Sequence, residues 1–177
     1  MNIATEVREP EGTNQYGDPY WTWSGRGAEV SVTQYLEVTI SGLDQELTTE
    51  DTAALASALA SVHAWLVEND TRLPHGAAIP AADTLPMKYT EFDTPRWRWA
   101  RRYSAEVTIT ENGGVNITGA HGDLTAEETA GLVAALAAAH EWLIEHGPWL
   151  NTNNKPTTTQ RGTHHEHRRN HDRDSQA

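Results

Sequence analysis

The segment Arg96–Tyr103, RWRWARRY, contains the residue types best suited to bind an anion. Its basic side chains are Arg96, Arg98, Arg101 and Arg102. Arginines could contact phosphates while the aromatic side chains between them stack on nucleic-acid bases. The same alternation is typical of a strand whose tryptophans face the core and whose arginines face solvent. We therefore expect core tryptophans, and we keep the four arginines as the candidate ligand-binding residues.

The charge of the chain argues against the nucleic-acid alternative. Its formal net charge is −12, and an acidic surface repels a phosphate backbone over about a Debye length, roughly 8 Å at physiological salt. Arg96 and Arg98 fall on the face of the strand opposite the tryptophans. We predict that they pair with carboxylates such as Glu106 or Glu111 rather than with a ligand.

The segment HEWLIEH, from His140 to His146, approaches a zinc-binding pattern without completing it. Metalloprotease helices place two histidines one turn apart as H-E-x-x-H. Here Ile144 stands at the fifth position, and the inverted form fails at Trp142. We therefore expect His140 and its equivalent His63 to be structural. Near the helix C-termini a protonated imidazole complements the helix dipole, and either protonation form can pack on the neighbouring tryptophan.

No other chemistry is assigned from the sequence. The chain has no cysteine, which excludes disulfides, zinc–thiolate sites and a cysteine nucleophile. The histidines of the C-terminal tail, His164, His165, His167 and His171, favour an inert tail, with weak metal binding as the alternative. We predict no cofactor, no metal site and no catalytic residue, and hence not an enzyme.

Signals for secretion or membrane insertion are not expected from the sequence. The N-terminal residues have no basic start and no apolar run, which predicts no signal peptide. No window approaches the roughly 20 apolar residues of a membrane span. We expect a cytoplasmic protein with no membrane partner and of undetermined oligomeric state.

A repeat organises most of the chain. The stretch EVSVTQYLEVTISG begins at Glu29, and EVTITENGGVNITG begins at Glu106, 77 residues later. Both continue without a gap into a helical pattern. Upstream, PYWTW at Pro19 matches PRWRW at Pro95, one residue out of that register. We interpret this as an internal duplication of one module.

Each copy predicts three strands followed by a helix. Apolar residues alternate along the strands, and Gly113 predicts a hairpin turn with positive φ. At the equivalent position Leu36 is a poor residue for positive φ, so we expect a wider loop or a bend. Thr48 with Asp51, and Thr125 with Glu128, have the spacing of capping boxes. The sequence HGP, ending at residue 148, predicts the end of the second helix.

These elements predict an α+β fold: two βββα modules with antiparallel sheet, one long helix each, in a pseudo-twofold arrangement. The predicted organisation is a disordered tail at 1–15, a first module at 16–70, a Pro- and Ala-rich linker at 71–94, a second module at 95–149, and a disordered His-rich tail at 150–177.

The stretch LTTEDTAALASALASVHAWL, preceded by YLEVTISG, resembles small actinobacterial domains. In those domains a strand pair precedes a helix that begins L-T-x-x-E-A-x-x-L-A-x-A-L. Thr52 and Thr129 stand where that pattern has alanine. The resemblance implies an origin in an actinobacterial genome or one of its phages, and it implies no activity or cofactor.

Two functions remain after these exclusions. The first is a non-catalytic, acidic protein that binds a protein partner, including a phage-encoded role in modulating a host protein. The alternative is binding of nucleic acid or a phosphate ligand through the arginine- and tryptophan-rich strand 96–103.

Overall fold

The computed structural model gives the protein an α+β fold with two antiparallel four-stranded sheets and two long helices. It describes residues 7–24, 27–43, 45–73, 76, 88–89, 94–101 and 104–153, with the backbone alone at 88 and 148–153. The predicted α+β class is confirmed.

The first half of the chain forms one sheet and one helix. Its elements are β1 (Gly12–Thr13), β2 (Pro19–Ser24), β3 (Ala28–Val32), β4 (Val38–Ile40) and α1 (Thr49–Asn69). The strands lie side by side in chain order, and every pair is antiparallel. Such an order follows from tight turns between consecutive strands.

The second half has the same strand order. Its elements are β5 (Lys88–Tyr89), β6 (Pro95–Arg98), β7 (Glu106–Ile109), β8 (Val115–Thr118) and α2 (Ala126–Asn153). Each half therefore has four strands rather than the predicted three. The additional strands β1 and β5 are two residues long, too short for alternation of apolar residues to reveal them.

The helices cover one face of the sheets and enclose a common core. Trp21, Trp23, Trp97 and Trp99 are all buried, with at most 6% of each side chain exposed. The prediction that these four residues face the core is confirmed. Because tryptophans bury a large apolar area each, they are a major part of the free energy that holds the helices on the sheets.

Both helices begin at a capping box, as predicted. The Thr48 hydroxyl accepts a hydrogen bond from the Asp51 amide, and the Asp51 carboxylate accepts one from the Thr48 amide. Thr125 and Glu128 exchange the same two bonds. Each box satisfies amide groups that the first turn of a helix leaves without partners.

The two halves are joined by backbone hydrogen bonds as well as by packing of α1 against α2. Leu47, just before α1, forms an antiparallel bridge with Val115 of β8. Leu124, just before α2, forms the corresponding bridge with Val38 of β4. The segment that precedes each helix therefore borders the last strand of the other half's sheet.

The turn between β3 and β4 differs from the expectation of a wider loop. Leu36 adopts a φ of 63°, and Gly113 adopts 81° in the turn between β7 and β8. The Leu36 and Gly113 amides both donate to the carbonyl three residues earlier, at Thr33 and Thr110. The turns have the same form because packing of Leu36 against the core offsets a left-handed conformation that costs a leucine about 1–2 kcal/mol.

Two predicted boundaries also differ. Helix α2 continues through Pro148 to Asn153, because a proline removes one helical hydrogen bond without necessarily ending the helix. The segment 1–15, predicted as a disordered tail, contains β1 and contacts the first sheet from Arg8 onward. Most of the predicted linker and the tail beyond residue 153 lie outside the described residues.

Within the part that is described, neither helix is long and apolar enough to cross a membrane.

Candidate functional site

The candidate arginines lie on the outer face of the second sheet. Arg96 is in register with Lys88 on one side and with Thr108 on the other. Side chains alternate between the faces of a strand, so Arg96 and Arg98 point away from the buried Trp97. The sequence placed these side chains on the correct face.

Arg96 is held by its own sheet. Its Nη1 lies 3.4 Å from Oε2 of Glu106, the neighbouring strand's carboxylate, and both side chains are partly buried. Glu106 was one of the two carboxylates predicted as partners. A half-exposed pair of this kind contributes about 0–1 kcal/mol to stability, but it also neutralises the charge that a phosphate would need.

The remaining candidate arginines are not gathered into one site. Arg98 and Arg101 are exposed, and neither forms an ion pair with a described residue. Arg102 lies outside the described residues. By contrast, Arg8 pairs with Glu11 and Arg72 pairs with Asp70.

A shallow cleft of about 550 Å³ runs beside Arg96 on this face. Its charged lining includes the carboxylate-bearing residues Glu46 and Glu111 as well as Arg96. The polar residues Thr108 and Asn116 also line the cleft. Carboxylates in the lining raise the cost of placing an anion there, so the cleft is poorly suited to a phosphate.

The N-terminal segment Arg8–Glu11, here named the edge strap, lies beside Trp21 and Thr22 of β2 in the first sheet. The Trp21 indole Nε1–H donates to the Arg8 carbonyl at 2.9 Å. The Thr22 amide donates to the Glu11 carboxylate at 3.0 Å, and the Arg8 guanidinium donates to the Thr22 carbonyl at 3.2 Å. The Arg8 amide in turn donates to Ser61 Oγ on α1.

Sequence reasoning missed the edge strap because it is polar and has no apolar periodicity. The only signal was the pair of opposite charges three residues apart, Arg8 and Glu11, just before the first strand. Such a pair is common on protein surfaces and carries little information without coordinates.

The edge of the second sheet lacks an equivalent of the edge strap among the described residues. Trp97 is 3% exposed, yet its indole Nε1–H has no hydrogen-bond partner there. The second strand tryptophan of each half has an acceptor for its indole N–H. The Trp23 indole donates to the Ser41 carbonyl, and the Trp99 indole donates to the Thr118 carbonyl. Among these four indoles, that of Trp97 alone has no acceptor within the described residues.

The surroundings of His63 and His140 disfavour the protonated form on which the expected helix-dipole role depends. Burial lowers the pKa of His63 below its ordinary value, and burial also lowers the pKa of His140, against a weaker opposing effect of Glu141. Both imidazoles therefore favour the neutral form, and neither helix has a basic residue in its last turn. The neutral form has no charge with which to complement the helix dipole.

The described residues contain no group of three or more His, Cys, Asp or Glu side chains able to hold a metal ion. The imidazole of His146 instead stacks on Trp142, with ring centroids 4.5 Å apart. The tail histidines lie outside the described residues, so their predicted lack of metal binding stays a prediction.

No protein-family model, no curated protein and no solved structure matches this chain.

Proposed function

We propose that this chain is a non-catalytic, acidic, cytoplasmic protein that binds a protein partner. The observation that carries the proposal is the ion pair between Arg96 and Glu106. Through this ion pair, an arginine of the strand best suited to bind an anion contacts a carboxylate of its own sheet. A phage-encoded protein that modulates a host protein would fit this description.

The distribution of charge supports a protein partner over a nucleic acid. Carboxylates are exposed on the strap, the turns and both helices: Glu9, Glu11, Glu46, Glu50, Glu68, Glu111, Asp123, Glu127, Glu141 and Glu145. The net charge of −12 favours encounter with a basic protein surface and slows encounter with polyphosphates.

We further propose that the halves are two copies of one module, related by an approximate twofold axis. The bridge of Leu47 to Val115 and the bridge of Val38 to Leu124 support this. Val38 of the first half and Val115 of the second are 77 residues apart, and so are Leu47 and Leu124. Exchanging the halves therefore exchanges one bridge for the other, as a twofold axis requires.

The proposal is tested by affinity capture with the tagged full chain from cells that encode it. Extracts are divided, and one portion is treated with nuclease before capture. We expect the same co-purifying protein in both portions, at near-stoichiometric yield. Capture that disappears on nuclease treatment would replace the protein partner with a nucleic acid.

A second candidate function is supported by a different observation. Arg98 and Arg101 are exposed and form no ion pair with the described residues, which leaves their charges available to a phosphate ligand. Two arginines in an acidic chain are a small electrostatic footprint for nucleic acid, so this function ranks second.

A further inference from the structure

A pocket of about 360 Å³ borders the turn between β7 and β8. Its lining includes Gly113 and Gly114 of that turn, Leu143 and Gly147 of α2, and Glu46 of the segment before α1. Glu46 is exposed to solvent. A Cβ added at Gly147 would meet no atom within 4 Å beyond its own neighbours in the helix. The pocket therefore has free space beside α2 and an exposed carboxylate at its rim.

Glycines line this pocket where the first half of the chain has larger residues. Leu36, 77 residues before Gly113, packs its side chain against the core from the turn between β3 and β4. Asp70, 77 residues before Gly147, is only 5% exposed. A glycine supplies neither side chain. The space that these side chains fill in the first half is therefore available to a ligand in the second.

Gly114 leaves room for the Glu46 side chain beside the turn. A Cβ added at Gly114 would overlap Cγ and Cδ of Glu46, so a larger residue there would displace the carboxylate. The residue 77 positions before Gly114 is Glu37. Each turn therefore has a carboxylate-bearing side chain beside it, that of Glu37 itself in the first half and that of Glu46, from the opposite half, in the second.

The carboxylates near the first turn have a cation of their own. The Arg72 guanidinium donates to the Asp70 carboxylate at 2.9 Å. Its hydrogen bond with Asp70 raises the pKa of Arg72, and the charge of Glu37 raises it further. Glu46, in contrast, forms no hydrogen bond or ion pair with a described residue. A basic side chain suits this position, because its stem can bury itself in a pocket while its charged end stays at the rim.

We propose that the pocket at the Gly113–Gly114 turn binds a basic side chain, lysine or arginine, of the protein partner. The methylene stem of that side chain lies between Leu143 and the turn glycines. Its charged end meets the Glu46 carboxylate at the rim. This inference rests on the proposed function, and it names the site and the class of partner group that the site takes.

Charge complementarity favours a cation over an anion or a purely apolar group. The chain has a net charge of −12. Glu46 also lines the cleft beside Arg96 and a further cleft of about 630 Å³ that includes Asp51. Three clefts thus meet at one exposed carboxylate, and a positive charge placed there is attracted by Glu46 and by the acidic surface around it.

The test uses the full chain and the blocked peptide acetyl-Ala-Ala-Arg-Ala-Ala-amide. The backbone amide signals of Gly113, Gly114 and Gly147 are followed by NMR during titration. We expect saturable shifts of these three signals with a dissociation constant of about 1–10 mM, the range expected for a single side chain. The same peptide with citrulline, which keeps the shape of arginine without its charge, is expected to bind about two- to fivefold more weakly.

Two protein variants make the test specific. Glu46→Gln removes the exposed charge and is expected to weaken binding of the arginine peptide about two- to fivefold, with no change for the citrulline peptide. Gly113→Leu places in the pocket the side chain that Leu36 has in the turn of the same form, and it is expected to abolish the saturable shifts. Glu68→Gln, which removes an exposed carboxylate from the last turn of α1, is the matched control and is expected to bind both peptides as the natural chain does.

Three results would overturn the proposal. The first is the absence of a saturable shift at the three glycines up to about 50 mM arginine peptide, a concentration that detects even weak complexes. The second is equal affinity for the arginine and citrulline peptides, or for the natural chain and Glu46→Gln, because the charge would then play no part. The third is unchanged binding by Gly113→Leu, which would place the peptide elsewhere on the molecule. If affinity capture recovers a protein partner while these titrations fail, the proposed function stands and this site fails.

Discussion

The backbones of Leu47 and Val115 are joined by two hydrogen bonds, each 2.8 Å from nitrogen to oxygen. Val38 and Leu124 are joined by two more of the same length. These bonds pair the free edges of β4 and β8, the last strands of the two sheets, which would otherwise be open to pairing with other chains. The sheet of each half is thus bordered by a segment of the other half.

This arrangement predicts that the two halves unfold together. The amide protons of Leu47, Val115, Val38 and Leu124 should exchange with solvent only on global unfolding, at the same free energy as the slowest core amides, about 5–15 kcal/mol. Native-state hydrogen exchange with increasing urea measures this. Exchange of the four amides through a smaller, local opening would contradict joint folding of the halves.

The different surroundings of Trp21 and Trp97 predict different costs of substitution. Trp21→Phe removes an indole that donates to the Arg8 carbonyl, whereas Trp97→Phe removes one that has no partner among described residues. The loss of packing volume is the same in both. Trp21→Phe should therefore lower the free energy of unfolding by roughly 1–3 kcal/mol more than Trp97→Phe, as measured by urea denaturation. Equal costs would mean that the Trp97 indole finds an acceptor in solution.

The close approach of α2 to Trp99, the residue that follows β6, predicts a destabilising effect of substitution at Gly131. A Cβ added there would overlap the carbonyl oxygen of Trp99, so Gly131→Ala should destabilise the protein by about 1–3 kcal/mol. This would occur although alanine is the better helix former by about 1 kcal/mol. The matched control is Ala54→Gly at the equivalent position of α1, which should cost only about 1 kcal/mol through helix propensity. Thermal or urea unfolding of both variants decides the point, and a stabilised Gly131→Ala would contradict the close contact.

The burial of His63 predicts a loss of stability in mild acid. Because the pKa of His63 is lowered in the fold, the unfolded chain binds a proton at higher pH than the folded chain does. The stabilising contribution is full above the unfolded pKa of about 6.5 and is lost as the pH falls toward the lower folded pKa. His63→Gln should flatten the decline in the free energy of unfolding between about pH 7 and pH 5. His121→Gln, on the surface, is the control, and an unchanged decline in His63→Gln would contradict the assignment.

The sequence predicted the elements whose residues repeat a regular pattern. Alternation around Trp97 and Trp99 predicted a core strand, and the spacing of Thr125 to Glu128 predicted the start of a helix. Both signals are local, so they survive without knowledge of the tertiary fold. The candidate arginines were placed on the correct face for the same reason.

What the sequence did not predict depends on contacts between distant residues. The positive φ of Leu36 is offset by tertiary packing, which a propensity argument cannot include. The contact of Arg8 with Trp21 joins a polar segment to a strand, and the bridge of Leu47 to Val115 joins opposite halves. None of these has a periodicity, and the unmatched indole of Trp97 is visible only beside its counterpart in the first half.

The most direct test of a protein partner, as opposed to a nucleic acid, is the binding of single-stranded oligonucleotides measured by fluorescence anisotropy across a range of salt concentrations. We predict a dissociation constant no tighter than about 10⁻⁴ M at physiological salt. We also predict that replacing Arg96 and Arg98 together with alanine leaves that weak binding unchanged. A micromolar complex at physiological salt, with a salt slope that the double substitution flattens by roughly 0.7 for each lost phosphate contact, would contradict it.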